Sequence, residues 1–411
     1  MSYSGAPSGT DDVAAPVRSD TAAAGRRWPV PGLPRLPLPL TGAIVFAGIR
    51  VLSVAITAFV LRHGTFGDRH WSLARWVRAA DGGHYLAIAA HGYTYPAGQL
   101  AHASAFAFFP AYPAAMRSLA WLPGVTLVGA GLIVTAIAGL AAAWGITTLG
   151  MKLTADPRIS LLMVAVWAVA PASTVLFMLY AEALFCAVAV WVLVALVDRR
   201  WLTAGGLTLA AGTIRSTALA LVAAVAVAAA AALVEAVRAR RPLAEWWRPL
   251  VAALLAPLGL LGYLGYVALR THRLDGLFWI ENHAFHMVFD WGTSTLRTLK
   301  HIFLDAPSVP QVLVALTIVA AVALMLWSLT ERIPPCLHVY TVMVVALALV
   351  SSANWIGSKP RFILPAILLA LPVARLLAPV RTAVLVPLIV VLTVLSTWYG
   401  LYLVAIAGWV P

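Results

Sequence analysis

Carboxylates are scarce in this chain: 15 Asp and Glu among 411 residues, with Asp11, Asp12 and Asp20 near the amino terminus. A side chain that takes a proton from a substrate must come from this short set or from a histidine. Asp81 stands in Trp76-Val77-Arg78-Ala79-Ala80-Asp81-Gly82-Gly83-His84-Tyr85, followed by Ile88-Ala89-Ala90-His91-Gly92-Tyr93. As a helix cap it would open a short amphipathic helix that stops at Gly92. As a general base it would sit beside glycines that let a substrate approach the backbone. One residue can serve both ends.

Other candidates interrupt apolar stretches. Glu182, in Tyr180-Ala181-Glu182-Ala183, lies between two apolar runs; an ionisable group at membrane depth suggests function, although a carboxylate at a helix end can also reach out to the interface. Arg215, in Thr213-Ile214-Arg215-Ser216, either marks a helix end or meets a phosphate, whose oxygens match the guanidinium fork. Ser358-Lys359-Pro360-Arg361-Phe362 places two cations before another apolar run, as interfacial anchors or as partners of a lipid-linked phosphate. Phe108-Phe109-Pro110-Ala111-Tyr112-Pro113 stiffens three rings into an apolar wall, which suits an aromatic belt or the lining of a lipid or sugar site. The segment from His272 to His286, with Asp275 and Glu281, shows no metal-ligand spacing, and Cys186 and Cys336 lack a CxxC or histidine partner, so neither a metal site nor a disulfide framework is expected.

The elements that must position these residues follow from composition. Hydrophobic residues make up 62% of the chain and charged residues 10%, against a net charge of +13, which is the balance of a polytopic membrane protein rather than a soluble domain. The cations are spread through short segments without interleaved aromatics, so nucleic-acid binding is not indicated. Apolar runs predict about eleven transmembrane helices, near 41–61, 123–149, 159–179, 182–197, 202–214, 216–234, 250–269, 309–329, 336–350, 362–378 and 382–406. The stretch 202–234 reads as two short helices broken near Arg215 or as one long tilted helix. Residues 1–40, rich in Ala, Pro, Ser and Gly, read as a disordered cytoplasmic tail ahead of a single transmembrane domain, 41–411. The basic tail and short basic segments at Lys152/Arg158, Arg199/Arg200 and Arg238/Arg240 place one face in the cytoplasm. The opposite face then carries the long segments 62–122 and 270–308, expected to hold amphipathic helices, and the carboxylates Asp68, Asp81, Glu182, Asp275, Glu281, Asp290 and Asp305.

Taken in order, these motifs resemble the PIG-V family of GPI mannosyltransferase II-like proteins, including the actinobacterial members. The correspondence runs through Asp81-Gly82-Gly83-His84-Tyr85 with Ile88 to Tyr93, the Phe108–Pro113 box, Tyr180-Ala181-Glu182, Arg215-Ser216 and Pro360-Arg361-Phe362-Ile363-Leu364-Pro365, across roughly residues 45–375. Ala80 and His84 stand where the family tends to have Trp, and Phe362 where it has Tyr. The resemblance implies a GT-C glycosyltransferase in the plasma (inner) membrane, its active site extracytoplasmic, that moves mannose from polyprenyl-phosphate mannose to a glycolipid, glycan or protein acceptor with inversion. Asp81 would then be the general base, with Glu182 a second catalytic carboxylate. Arg215, Lys359 and Arg361 would bind the donor phosphate, and His84, Tyr85, Phe108, Phe109, Tyr112 and Tyr180 would line the lipid or sugar. No cofactor or divalent metal is expected. A lipid or solute transporter is the alternative, and it predicts charges spread through the membrane depth and similar loops on both faces.

Overall fold

The computed structural model describes residues 36–64, 71–94, 100–240, 242, 246–305 and 308–406. Residues 1–35 of the expected tail and Asp68 lie outside that set, and residues 38–40 already belong to the first helix. Regular structure among the described residues is helical, with one isolated bridge between Phe289 and Ser351.

Helix α1 (Leu38–His63) leads into three short helices, α2 (Leu73–Trp76), α3 (Asp81–His91) and α4 (Ala111–Leu119). The chain then runs back and forth through α5 (Leu127–Thr154), α6 (Pro157–Ala168), α7 (Glu182–Val197), α8 (Trp201–Gly212), α9 (Ala218–Arg238), α10 (Trp247–Leu255) and α11 (Leu258–Thr271). A second short pair follows, α12 (Gly276–Phe285) and α13 (Thr293–Leu304), before α14 (Val309–Ser328), α15 (Pro335–Val350), α16 (Lys359–Ile363), α17 (Ala370–Leu377) and α18 (Thr382–Leu401).

Six helical stretches among the described residues are long and apolar enough to cross a membrane, counting α10 with α11 as one, and a bent pair at 356–377 makes up to seven. Helices α6, α7 and α15 are apolar but shorter. Each of the six hides only 28% to 39% of its most apolar window inside the protein. The remainder faces outward, and lipid is the solvent that accepts it. This is an all-helical integral membrane protein. Helix α7 is buried on nearly every side and packs against α5 and α8 at the centre of the bundle.

The structure departs from the predicted spans where proline removes a backbone donor. The span expected at 159–179 ends as a helix at Ala168, because Pro171 cannot continue it; Ala172 turns at φ 61° into a short 3-10 turn, Ser173–Phe177. The carbonyls freed by this break are met by the buried Arg50, which donates to Ala168 O and, at 2.7 Å, to Ser173 O. A charge that would be costly in hydrocarbon is thereby matched to exposed helix ends. The span at 362–378 bends by 81° around Pro365, whose carbonyl accepts from Tyr340 Oη at 2.8 Å. The stretch 202–234 is two helices, with Arg215 in the turn between α8 and α9.

Candidate active site

The first loop is locked before Asp81 begins. Ser72 caps α2 by accepting from Arg75 N at 3.2 Å, Trp76 stacks on Phe177 at 5.2 Å, and Val77 O accepts from Leu179 N at 3.0 Å. Ala80 then adopts φ 51° and ψ −120°, a conformation that costs an L-residue about 1–3 kcal/mol. That kink starts α3 at Asp81. Asp81 is therefore the first helical residue and not its cap: its side chain caps nothing and turns instead to Arg361. Gly82 is also not a landing place for substrate. A Cβ there would lie 3.1 Å from Val77 O and 3.3 Å from Leu179 Cβ, so the glycine lets the loop pack on the chain that leads to Glu182.

Four charged side chains converge from four parts of the sequence. Arg361 Nη1 donates to Asp81 Oδ2 at 2.6 Å, and Arg361 Nε lies 3.4 Å from Glu182 Oε1. Arg215 Nη1 pairs with the same Glu182 oxygen. Glu182 opens α7, where the positive end of the helix dipole favours a carboxylate, and its side chain is fully buried. The Arg361 guanidinium lies 5.1 Å from the centre of the Tyr180 ring and 4.9 Å from that of Phe362, while Arg215 also reaches Phe362. Two cations with two carboxylates let the charges sit in a poorly solvated place. Removing one partner from such a group typically costs about 3–5 kcal/mol.

A cavity of about 270 Å³ opens beside this cluster. Asp81, Arg215 and Arg361 form one charged wall; His84, Tyr85, Phe108, Phe109, Phe285 and Phe362 form its aromatic wall; Ser216, Ser358, Glu281 and Met287 are also among its lining. His84 stacks on Phe108 at 4.6 Å, and Tyr85 meets Phe108 edge-on at 5.2 Å. The Phe108 carbonyl is fixed by two hydroxyls, Tyr93 Oη at 2.7 Å and Tyr263 Oη at 2.9 Å. Ala111 N donates to Thr213 O at 3.0 Å, tying the aromatic loop to the turn that carries Arg215. The wall and the cations are thus set by one connected framework. Such a preorganised site does not need to rearrange as charge develops.

No family model matches the chain, and no curated protein matches it. Among solved structures, ArnT from Cupriavidus metallidurans, in a crystal structure with undecaprenyl phosphate bound, is similar with a TM-score of 0.46 and 16% identity. The similarity covers 80% of this chain and 59% of that one, so the chain spans under two thirds of that protein's length.

Of the residues singled out in the sequence, Asp81, His84, Tyr85, Phe108, Phe109, Arg215 and Arg361 line the cavity, and Glu182, Lys359, Tyr112 and Tyr180 do not. Glu182 lies behind the guanidiniums, paired with both from the protein side and outside the cavity wall. Lys359 departs furthest from expectation. Its ammonium is buried against Ala348 O and Ser351 O, both at 2.9 Å, and Ser351 Oγ at 3.3 Å, where it caps the end of α15 rather than facing a phosphate. Tyr112 supports the wall from behind, bonded to Gly131 O at 3.1 Å and Thr135 Oγ1 at 2.9 Å. Tyr180 is the floor beneath Arg361. Glu281 belongs to the cavity but was legible in the sequence only as one of several acids on the same face. Among the described residues no three His, Cys, Asp or Glu gather to hold a metal ion.

Proposed function

We propose that this protein is a GT-C glycosyltransferase of the PIG-V kind, which moves a mannosyl residue from a polyprenyl-phosphate donor to an acceptor hydroxyl on the extracytoplasmic side. The observation that carries this reading is the Asp81–Arg361 pair, 280 residues apart in sequence and 2.6 Å apart in space, in the wall of an aromatic cavity that also holds Arg215.

Donor and site are matched in charge development. A sugar carried on a lipid phosphodiester leaves a phosphomonoester, so one further negative charge grows on the phosphate as the glycosidic bond breaks. Each guanidinium has five N–H donors. The contacts to Asp81 and Glu182 engage three nitrogens across Arg215 and Arg361, which leaves further donors for phosphate oxygens. A preorganised donor of this kind is commonly worth about 3–4 kcal/mol in the transition state. The aromatic wall suits the apolar face of a pyranose or the first isoprene unit, and the PIG-V resemblance supplies mannose as the sugar. Inversion then follows from direct displacement, with the acceptor oxygen attacking C1 from the face opposite the phosphate. A cavity carboxylate takes the acceptor's proton; the resemblance assigns that part to Asp81.

The test uses the full-length protein in lipid nanodiscs with synthetic polyprenyl-phosphate mannose, glucose and arabinose, each radiolabelled, and membranes of cells lacking the protein as acceptor. Transfer from the mannose donor, lost in Arg361→Ala, is the expected result. Transfer only from another sugar would refute mannose, and no transfer from any donor would refute the enzyme.

A further inference from the structure

The tyrosines around the cavity divide by what their hydroxyls do. Tyr93 donates to Phe108 O at 2.7 Å, Tyr263 to Phe106 O at 2.8 Å, Tyr112 to Gly131 O at 3.1 Å, Tyr180 to Ala79 O at 3.4 Å and Tyr340 to Pro365 O at 2.8 Å. Each ties down a loop or a helix, and a buried phenol usually finds such a partner. Tyr85 departs from the pattern. It is 4% exposed and lines the cavity, yet its hydroxyl meets no hydrogen-bond partner among the described residues. A buried polar group left unmet in this way calls for an explanation.

The fold holds that hydroxyl at the charged cluster. Tyr85 follows Asp81 by four residues on α3, so the two side chains share one helix face, with Cβ atoms about 5–6 Å apart. The Tyr85 ring is wedged edge-on against Phe108 at 5.2 Å and Tyr112 at 5.1 Å, and both neighbours are themselves anchored by hydrogen bonds. Arg215, Glu182, Asp81 and Arg361 all act electrostatically on the phenol, Arg215 most strongly.

Resting on the glycosyltransferase reading above, we propose that Tyr85 is a catalytic residue whose hydroxyl donates a hydrogen bond to the phosphate of the lipid donor, alongside Arg215 and Arg361. In the step, the acceptor oxygen bonds to C1 and its proton passes to Asp81. The C1–O bond to the phosphate breaks, and the bonding pair stays on the phosphate oxygen. Tyr85 keeps its own proton throughout.

A neutral donor suits this place. Two guanidiniums already balance two carboxylates, so a third cation would stand buried and unpaired whenever the cavity is empty. A hydroxyl adds a contact for the phosphate without adding a charge. Burial holds the phenol well above its ordinary pKa, against the opposing pull of Arg215, so it stays a donor across the working pH range.

The experiment compares wild type with Tyr85→Phe, which keeps the ring and removes the hydroxyl, as full-length proteins in lipid nanodiscs. Three quantities are measured: mannose transfer from polyprenyl-phosphate mannose, equilibrium binding of polyprenyl phosphate, and the thermal midpoint. Tyr85→Phe should lower kcat by about 100-fold. It should weaken polyprenyl phosphate by about tenfold, more than it raises donor KM, because the phosphomonoester carries the fuller charge. Its thermal midpoint should match wild type, since no protein partner is lost, whereas Tyr112→Phe should lower the midpoint. A kcat within about threefold of wild type overturns the proposal. So does unchanged polyprenyl phosphate binding, which would give the hydroxyl to the sugar or the acceptor. A Tyr85→Phe midpoint as low as that of Tyr112→Phe, or a variant that does not purify, makes the hydroxyl structural and overturns it as well. Wild type inactive with every sugar donor fails the glycosyltransferase reading instead, and the polyprenyl phosphate comparison still decides the part played by Tyr85.

Discussion

Arg361 touches both carboxylates of the charged cluster and lies between two rings, so its geometry matters as well as its charge. Arg361→Lys keeps the positive charge but cannot span Asp81 and Glu182 with a planar fork. We expect donor kcat/KM to fall by about 100-fold or more in that variant while the protein still purifies intact. Arg361→Ala, by contrast, leaves buried carboxylates uncompensated and should lower stability by about 3–5 kcal/mol, measured as a drop in the thermal midpoint of the solubilised protein. Lys359 offers the contrasting case. It stands two residues away on α16, hence about 200° round the helix, and points at the end of α15 instead of the cavity. Lys359→Met should cost about 1–3 kcal/mol of stability through unmet carbonyls and leave donor KM unchanged; a raised donor KM would restore its phosphate role. Residue type alone nominated both cations. Their opposite fates were illegible because the sequence does not reveal where the bend at Pro365 turns each face. The same holds for Glu281, which only the fold of α12 separates from Asp275 and Asp290.

At the scale of elements, each of the six long apolar stretches among the described residues falls on one of the eleven expected spans, because lipid demands long apolar runs, and the departures fall at Pro171 and Pro365, where backbone geometry rather than hydropathy decides. Two glycines place Arg215. A Cβ on Gly259 of α11 would meet Leu209 O and sit 2.8 Å from Leu209 C, and one on Gly212 of α8 would sit 2.9 Å from Gly259 C, so these backbones touch directly. Arg215 follows Gly212 by three residues. Gly259→Ala must push α8 and α11 apart, which should cost about 1–3 kcal/mol and move Arg215 away from Glu182. Gly265, on the exposed face of the same helix, has no atom within 4 Å of the point a methyl group would occupy. Gly265→Ala should raise stability by up to about 1 kcal/mol through helix propensity alone. Thermal midpoints and mannose transfer measured on both variants separate the two effects: equal behaviour would mean that the contact does not position the arginine. Contacts of this kind leave little trace in one sequence, since a glycine at a helix crossing and a glycine facing lipid look alike there.

For the whole molecule, the helices that carry the charged cluster are shorter than α1 and α5. Helix α7 has 16 residues and α8 has 12, about 24 and 18 Å of rise, against a hydrocarbon thickness of about 30 Å. The long helices α1 and α5, with 26 and 28 residues, pass well beyond that thickness. Glu182 opens α7 and Arg215 lies in the turn after α8, so the cluster sits at one end of these two short helices. The opposite end of the bundle carries a separate set of ion pairs, Lys152 with Asp198, Arg199 with Glu235, and Arg375 with Glu331. If the basic tail and short basic loops hold that end in the cytoplasm, the site opens outside. Native thiols do not obscure a test, because Cys186 and Cys336 are both buried. Leu274, fully exposed beyond α11, belongs to the site's end, and Ala239, exposed beyond α9, to the other. A membrane-impermeant maleimide added to intact spheroplasts should label Leu274→Cys at once and Ala239→Cys only after permeabilisation. The reverse pattern would put Asp81, Glu281 and both guanidiniums on the cytoplasmic side, where an extracytoplasmic acceptor could not reach them.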